Sequence, residues 1–398
     1  MRLLCTAILL LPSVASLLPS ALVLLQLIAG FGKRDFSARY PTSKASATRA
    51  NTAVLMPAHN EANGIVGAIR AVLSQLSTDD RLLVVADNCT DETAVVARAA
   101  GAEVIERHDT QRRGKGYALD FGVRWLEKAP PSVTIIIDAD CIAHPGSISS
   151  LAEACVASGR PTQALYLMRA PAGSRLSVRI AEFAWLIKNK LRPLGSLALG
   201  WPCQLMGTGM AFPWAIIQNA PLATGHLVED MQLGLDLAKA GTPPLFCPVA
   251  LVTSAFPTDT AGVKSQRTRW EHGHLSVLIA VGPAMIWRAL KTRNMALFAM
   301  ALDLMVPPLA ALVLMLVVLV MLNTAWWLAT GSALPLVVSA LAMTLVVVTV
   351  ALAWAREGRQ IVSLSEMLAL PWYVIAKIPV YIRLFTKRQV EWVRTKRD

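Results

Sequence analysis

Charged residues are scarce in this chain of 398 residues: Asp, Glu, Lys and Arg make up 16% of it, whereas soluble domains usually carry about a quarter. The deficit is local, because three stretches are nearly free of charge and the remainder has an ordinary soluble composition. This pattern favours a soluble domain with membrane anchors over a pore built entirely in lipid.

Cysteine is also scarce, and its six copies are scattered without close pairs. No zinc or redox spacing appears among the cysteines or the six histidines, so we assign no zinc site and expect reduced thiols. The net charge of +12 lies largely beside the apolar stretches, where anionic headgroups attract Lys and Arg. No nucleic-acid motif accompanies it, so we predict membrane lipids and no nucleic acid as partners.

The first apolar stretch, Leu3 to Phe31, has no charged residue and is followed by a basic linker, residues 33–50. A signal peptide has an apolar core of about 7–15 residues and a small-residue cleavage site. This stretch is longer and no clear site follows it. We therefore favour an uncleaved transmembrane helix within residues 1–32 over a signal peptide. The basic linker predicts that the C-terminal end of this helix lies in the cytoplasm.

A second apolar block, residues 295–355, contains Asp303 as its only charge. It is long enough for two transmembrane helices, at about Leu304–Leu322 and Leu334–Ala353. The connection between them, Asn323 to Ser332, contains two tryptophans suited to the membrane interface. The chain should therefore carry about three transmembrane helices.

The tail, residues 356–398, holds nine Lys and Arg residues and is expected in the cytoplasm. Within it, Ile361–Phe385 is interrupted by prolines and is predicted to lie in the interface or re-enter the bilayer. Both charge signals predict a multi-pass protein of the cytoplasmic membrane. Its N-terminus is outside, and its middle domain, residues 51–290, is cytosolic.

The middle domain alternates short apolar runs with helical patterns, which is typical of an open α/β sheet with right-handed crossovers. This alternation predicts four strands, at Thr52–Met56, Arg81–Ala86, Glu103–Glu106 and Val133–Ile137. The predicted helices are Ile65–Leu76, Thr93–Ala100, Val178–Lys190 and Met231–Ala240. Ligands in such sheets bind beyond the carboxyl ends of the strands.

Polar residues follow three of the predicted strands. The first strand ends in Pro57 to Glu61, the second in Asp87 to Asp91, and the β-branched strand before residue 138 in Asp138-Ala139-Asp140. This arrangement predicts one acidic crevice along one edge of the sheet. Asp138 and Asp140 are suited to hold a divalent metal against a diphosphate, although either could instead cap the helix that begins near Ser147.

Two further patterns are suited to the same chemistry. Glu229-Asp230 opens a predicted helix, where acids favour the macrodipole but where Asp230 could also act as a general base. Gln266-Arg267-Thr268-Arg269-Trp270 places arginines suited to phosphate oxygens beside a tryptophan suited to stacking. A basic aromatic helix lying on the membrane is the alternative interpretation of the second pattern.

A basic turn, Arg112-Arg113-Gly114-Lys115-Gly116, could bring cations close to phosphates. An ordinary surface turn is the alternative.

In this order along the chain, the motifs resemble those of family 2 glycosyltransferases with a GT-A fold. They are most similar to the membrane-bound branch that includes cellulose synthase, hyaluronan synthase and exopolysaccharide glycosyltransferases. The resemblance covers about Asn51 to Leu290 plus the flanking membrane helices. It implies a GT-A domain with an open, mostly parallel sheet. It also implies an inverting transfer of a sugar from a nucleotide diphosphate donor, expected to be a UDP-sugar, by direct displacement.

The resemblance also implies roles for individual residues. The donor nucleotide is expected near Pro57, His59, Glu61, Asp87 and Lys115, with Asp87 at a uracil-type base. Asp138 and Asp140 match the pair that holds Mg²⁺ or Mn²⁺ and the diphosphate. Asp230 matches the catalytic base, although Val228 stands where the family has threonine. The diphosphate and the acceptor are expected at Gln266, Arg267, Arg269 and Trp270.

The polysaccharide-extruding synthases of this family have more transmembrane helices than this sequence predicts. We therefore favour a lipid-linked glycan as the acceptor, in polysaccharide biosynthesis. The alternatives are a processive synthase that acts as an oligomer or with an export partner, a lipid glucosyltransferase of the ceramide type, and a non-catalytic membrane scaffold. Retention of the acidic residues argues against the scaffold.

Overall fold

The computed structural model describes residues 2–32, 50–225, 228–257 and 260–386, with the backbone alone at 260–267 and 384–386. An N-terminal helix, α1 (Arg2–Gly30), precedes an eight-stranded sheet. The strands, in chain order, are β1 (Thr52–Ala58), β2 (Arg81–Asp87), β3 (Glu103–Arg107), β4 (Val133–Ile136), β5 (Ile142–Ala143), β6 (Thr162–Arg169), β7 (Met210–Pro213) and β8 (Leu245–Ala255).

The strands lie in the order β3-β2-β1-β4-β7-β6-β8-β5. The first four pair in parallel. β7 is antiparallel to both β4 and β6, β6 and β8 are parallel, and β5 is antiparallel to β8. This confirms the predicted open, mostly parallel α/β sheet, and each predicted strand lies within two residues of an observed one.

Both faces of the sheet are covered, which explains why its central strands are continuously apolar. Successive residues of β1 alternate between two packed layers: Val54 and Met56 belong to one, and Leu55 to the other. All three are fully buried. The helices of this domain are α2 (Ile65–Leu73), α3 (Thr93–Ala99), α4 (Lys115–Leu126), α5 (Ser147–Ser158), α6 (Leu176–Leu186), α7 (Arg192–Ala198), α8 (Trp214–Ile217) and α9 (Glu229–Lys239).

The predicted helix Val178–Lys190 corresponds to α6, but the chain does not leave the helical path at residue 190. A π-helical turn, Ile187–Leu191, joins α6 directly to α7. Such turns are frequent at functional sites, and periodicity in sequence does not reveal them because they add a single residue to a helix.

The C-terminal third is helical, in chain order α10 (Thr260–Thr292), α11 (Met295–Leu304), α12 (Leu309–Thr330), α13 (Leu334–Ala353), α14 (Leu364–Met367), α15 (Leu370–Ile375) and α16 (Ile378–Thr386). Within the described residues, four helices are long and apolar enough to cross a membrane: Arg2–Gly30, Thr268–Thr292, Leu309–Thr330 and Leu334–Gly358. Three of them correspond to the predicted transmembrane helices. The fourth is the apolar part of α10, which the sequence places in the cytosolic domain.

Two details of the second apolar block differ from the prediction. The span expected at Leu304–Leu322 is displaced, because α11 ends at Leu304 and two prolines separate it from α12. The expected interhelical connection, Asn323 to Ser332, is largely helical, since α12 continues through both tryptophans to Thr330. An apolar helix remains the lowest-energy conformation there because its backbone groups need no partners outside the helix.

Helix α1 packs directly against the sheet domain through α7. A Cβ atom on Gly195 of α7 would lie 1.8 Å from the carbonyl oxygen of Gln26, so only glycine permits this approach. The side chain of Gln26 is fully buried and donates to Ser196 Oγ at 3.0 Å. The N-terminal helix, although long and apolar enough to cross a membrane, is therefore also part of the packed domain.

The segment predicted to be interfacial, Ile361–Phe385, forms the short helices α14 to α16. Their apolar side chains are unusually exposed, with Leu368 at 78% and Trp372 at 72%. Polar contacts hold the segment to the rest of the molecule: Lys377 pairs with Glu271, and the Nε2 atom of His272 lies 2.8 Å from the carbonyl oxygen of Val380.

Candidate active site

A cavity of about 200 Å³ opens at the carboxyl edge of the sheet, between the sheet, α9, α10 and α11. Six residues singled out in the sequence line it: Lys115, Asp138, Asp140, Asp230, Arg269 and Trp270. These residues come from four separate segments of the chain. The fold therefore brings together the basic turn, the acidic pair, the acidic helix start and the arginine–tryptophan motif.

The acidic pair follows β4 in a tight turn. The backbone N–H of Asp138 donates to Thr208 Oγ1 at 3.0 Å, and the N–H of Cys141 donates to the carbonyl oxygen of Asp138 at 3.0 Å. Ligand atoms of Asp138, Asp140 and Cys141 lie within 4.8 Å of one another. Helix α5 begins after Gly146 with no side-chain cap, so neither aspartate caps it.

Cys141 is a neutral neighbour of this pair. Burial raises the pKa of its thiol to about 12, and the thiol donates to Asp140 Oδ1 at 3.3 Å. A protonated thiol is a poor metal ligand. The two carboxylates offer oxygen donors, which suit Mg²⁺ and Mn²⁺.

Lys115 begins α4 and points into the cavity. It pairs with Asp138, and its Nζ atom donates to the carbonyl oxygen of Gly207 at 2.8 Å. Burial disfavours its charged form, but the acids around it, Asp138 first, outweigh burial and raise the pKa of Lys115 above its ordinary value. The residue is thus a fixed cation beside the acidic pair.

Glu229 and Asp230 form the first turn of α9. Helix α9 has Val228 at its N-cap position with no side-chain cap, so Asp230 is not a capping residue. Burial, together with the neighbouring charge of Asp230, raises the pKa of Glu229 to about 7. Burial also raises the pKa of Asp230, against the opposing effects of a backbone hydrogen bond and of Lys115.

Gly207 shows how closely these groups approach. It has a φ of +90°, and a Cβ atom there would lie 3.4 Å from Asp230 Oδ2 and 3.7 Å from Lys115 Nζ. The glycine-rich stretch Gly207-Thr208-Gly209 therefore forms the wall between the base candidate and the cation. A side chain at Gly207 would be strained by its backbone conformation.

Arg269 and Trp270 reach the cavity from α10. A Cβ atom on Gly273, one turn later, would lie 2.6 Å from Val228 Cγ1, so α10 lies against the residue that precedes the two acids. Trp270 stacks at 41° on Trp185, with ring centroids 4.9 Å apart. The side chains of Gln266 and Arg267 lie outside the described residues.

Of the five predicted nucleotide residues, Lys115 lines this cavity, and the other four lie at the ends of β1 and β2, outside its lining. Asp87 is buried and pairs with Arg107, whose Nη1 atom lies 2.6 Å from Asp87 Oδ1. The Nδ1 atom of His59 lies 2.7 Å from the carbonyl oxygen of Asp87, and the N–H of Glu61 donates to Thr93 Oγ1 at 2.8 Å. Pro57 lies within β1, opposite Val85.

Sequence reasoning missed several residues of the cavity wall: Trp185, Lys188, Asn189, Arg192 and Asp303. Asp303 had a signal, since it is the only charge in an apolar block, and such residues are commonly functional. Lys188 and Arg192 had none, because cations on a helix are usually solvated. Their place in the wall depends on the π-helical turn and on the docking of α1 and α11.

The comparisons with known proteins agree with this geometry. Residues 50–273, more than half of the chain, match the family described as Glycosyltransferase like family 2. No curated protein matches the chain. Among solved structures, a mannosyltransferase from Pyrobaculum calidifontis, in complex with GDP-Man and Mn²⁺, is similar with a TM-score of 0.54 and 17% identity, covering 94% of this chain and 99% of that one.

A second solved structure, glucosyl-3-phosphoglycerate synthase from Mycobacterium tuberculosis with Mn²⁺, UDP and phosphoglyceric acid, is similar at a TM-score of 0.39 and 24% identity. That similarity covers 56% of this chain and 77% of the other. The fold is shared with the first of these two structures, and it confirms the predicted GT-A architecture. From its family match, supported by the cavity and the sheet, the chain belongs to glycosyltransferase family 2.

Proposed function

We propose that this enzyme is an inverting glycosyltransferase that moves a sugar from a nucleotide diphosphate donor, a UDP-sugar, to a membrane-associated, lipid-linked glycan in polysaccharide biosynthesis. The observation that carries the proposal is the single cavity lined by Asp138, Asp140, Asp230 and Arg269. It combines a metal-type acidic pair, a base candidate and cations, which are the groups that transfer from a sugar diphosphate requires.

Asp138 and Asp140 would hold Mg²⁺ or Mn²⁺, which suits their two oxygen donors, and the similar mannosyltransferase was solved with Mn²⁺. When bound, the metal would offset the charge that develops on the leaving diphosphate. Lys115 and Arg269 add fixed positive charge on the same cavity wall. The leaving group is thereby stabilised by groups that need no rearrangement during the reaction.

Asp230 would act as the general base. It takes the proton of the acceptor hydroxyl while the hydroxyl oxygen attacks the anomeric carbon and the bond to the diphosphate breaks. Its raised pKa makes it a better proton acceptor than an exposed aspartate, and the positive charge of Lys115 nearby favours its ionised form. The pKa of the neighbouring Glu229 is raised to about 7, in part by the charge of Asp230, so the protonation of each acid depends on that of the other.

The donor base would lie at the loops after β1 and β2, near His59 and Asp87. Arg107 orients the carboxylate of Asp87 there. The left-handed backbone of Asn60, with φ of 55°, and of Asn88, with φ of 51°, shapes the two loops that would meet the nucleotide. The proposal also includes substrate-binding roles for Pro57, Glu61, Gln266 and Arg267.

The enzyme would reside in the cytoplasmic membrane, with the sheet domain in the cytosol. Helices α1, α12 and α13 would span the bilayer, which leaves the basic tail in the cytosol. Helix α10 would lie at the interface, because its apolar half packs against α9 and α11 through Met285 and Ala289. If α10 also crossed, the nine cations of the tail would lie outside, against the charge rule.

Donor turnover by the purified protein tests this function. We expect Mn²⁺-dependent release of UDP from one member of a panel of UDP- and GDP-sugars, and label transfer into a lipid extract of the native membrane. A processive synthase would instead give a product ladder of increasing mass. Absence of turnover with every donor, in the presence of metal and lipid extract, would identify a non-catalytic scaffold.

A further inference from the structure

One part of the cavity wall has no role in the chemistry above. It is formed by Lys188 in the π-helical turn, by Arg192 at the start of α7 and by Asp303 in α11. Lys188 and Arg192 lie about one turn apart on one continuous helix, so their side chains reach the same region. A role for this wall in binding the acceptor rests on the proposed function.

Arg192 is held rigidly in this wall. Its Nη2 atom pairs with Asp303 Oδ1 at 2.7 Å and donates to the carbonyl oxygen of Asp303 at 3.0 Å, while its Nε atom donates to Gln26 Oε1 at 3.1 Å. Gln26 in turn donates to Asp303 Oδ1 at 2.8 Å. The guanidinium is thus fixed between the sheet domain, α11 and the N-terminal membrane helix.

Lys188 differs from Arg192 because its ammonium group is available. Its side chain is exposed and lines the cavity. Within the part of the chain that the structure describes, it forms no ion pair, and its Nζ atom lies 5.3 Å from the centroid of the Trp185 ring. Asp303 offsets the charge of Arg192, so this wall carries one net positive charge toward any ligand.

The network also ties the wall to a point near the end of α1, a helix long and apolar enough to cross a membrane. Gln26 lies four residues before the end of α1, so it is about 6 Å along the axis from Gly30, at a rise of about 1.5 Å per residue. The hydrocarbon core is about 30 Å thick, and α1 is long enough to extend beyond it. If α1 spans the bilayer with Gly30 at the cytosolic surface, as the proposed function requires, Lys188 and Arg192 lie near the level of the lipid headgroups.

We propose that Lys188 and Arg192 form a subsite for the phosphate ester at the head of a lipid chain. Arg and Lys are suited to phosphate oxygens, and a phosphate is the group that joins lipid to glycan or headgroup at this depth. Because Lys188 and Asp230 line one cavity of about 200 Å³, the phosphate must lie close to the reacting hydroxyl. The acceptor consequently carries a short glycan.

The test uses full-length protein in detergent, with donor hydrolysis and label transfer to a native lipid extract measured separately. Lys188→Gln should lower the acceptor kcat/KM by roughly ten- to a hundredfold, the effect of losing one charge-assisted hydrogen bond. Donor hydrolysis and UDP affinity should not change, and Lys188→Arg should restore transfer. Hydrolysis by the unmodified protein reports on the proposed function independently of this subsite.

Lys190→Gln is the matched control. Lys190 lies on the same π-helical turn but pairs with Glu357 at 2.8 Å, outside the cavity lining. The Lys190→Gln substitution also removes one positive charge from this turn, but the transfer rate should stay near that of the unmodified protein. An equal loss of transfer in both variants would show that only the fold of the turn matters and would overturn the proposal.

Decyl phosphate serves as the probe of the ligand, with decanoate and phosphatidylglycerol micelles as the comparison arms. Decyl phosphate should inhibit transfer competitively with the acceptor, and Lys188→Gln should abolish that inhibition. The same pattern with phosphatidylglycerol would support the phosphate subsite and assign it to bulk phospholipid. Equal inhibition by decanoate would refute the proposal, because the subsite would then bind a carboxylate as well as a phosphate. Loss of donor hydrolysis and UDP affinity in Lys188→Gln would also refute it, because Lys188 would then act on the base or on the donor.

Discussion

Two regions along the carboxyl edge of the sheet use charge in opposite ways. In the nucleotide region, Asp87 and Arg107 neutralise each other at 2.6 Å. In the catalytic cavity, Glu229, Asp230 and Asp138 crowd around Lys115, and the pKa of Glu229 rises to about 7. Paired charges give a rigid binding surface, whereas crowded acids give groups that exchange protons or hold a cation. Under the proposed function, this difference would separate recognition of the donor from the chemistry.

The largest effect is expected from the acidic pair. Asp140→Asn, or removal of metal with excess chelator, should abolish transfer and donor hydrolysis, because the diphosphate would then leave without a metal to offset its charge. Mg²⁺ or Mn²⁺ should restore the chelated enzyme but not the variant. Asp120→Asn, on the exposed face of α4 beside Arg124, should remain active. Full turnover in excess chelator would remove the metal from the mechanism.

Asp230→Asn should reduce transfer by at least about a hundredfold, since a positioned base contributes roughly 10²–10⁴ in rate. UDP affinity should stay near normal, because the nucleotide region does not include Asp230. Asp236→Asn is a control on the same helix, where Asp236 pairs with Lys239. Retained transfer in Asp230→Asn would assign that carboxylate a purely structural role and erase the contrast between the two regions.

Asp87→Asn should weaken UDP binding by about tenfold, as expected for loss of one charged hydrogen bond. Turnover at saturating donor should change little, because the chemistry lies in the other region. Isothermal titration and initial rates measure the two effects separately. Glu106→Gln, one residue before Arg107 in an exposed pair with Arg98, should leave both unchanged. A fall in saturated turnover equal to the fall in affinity would blur the distinction between the regions.

The smallest effect concerns stability and pH. The pKa of Glu229 is raised from 4.5 to about 7 on folding, so the folded protein binds more protons between these values and loses stability as pH rises through them. Glu229→Gln removes this titration. In metal-free detergent, the Tm of the variant minus the Tm of the unmodified protein should increase by a few degrees when the pH is raised from 5 to 8. A Tm difference that is constant with pH would contradict the raised pKa.

Much of the sheet followed from the sequence. The apolar runs that became β1, β2 and β4 are local signals, because a strand buried on both faces has no polar alternation. The acids after them were placed at one edge by the rule that parallel strands end together. Lys115, Asp138, Asp140, Asp230, Arg269 and Trp270 meet there as this rule and the family resemblance implied.

Tertiary structure alone decided how the candidate membrane helices join that edge. Gln26 and Asp303 form a hydrogen bond although they are 277 positions apart in the sequence, and Arg192 and Gln26 form one at a separation of 166 positions. No local periodicity encodes such pairs, since they depend on which helix faces meet after folding. The π-helical turn that places Lys188 in the wall is equally invisible, because it is one added residue in a helical pattern. Local hydrophobic patterning therefore determined the elements and their polar ends, and long-range packing determined which charges share a cavity.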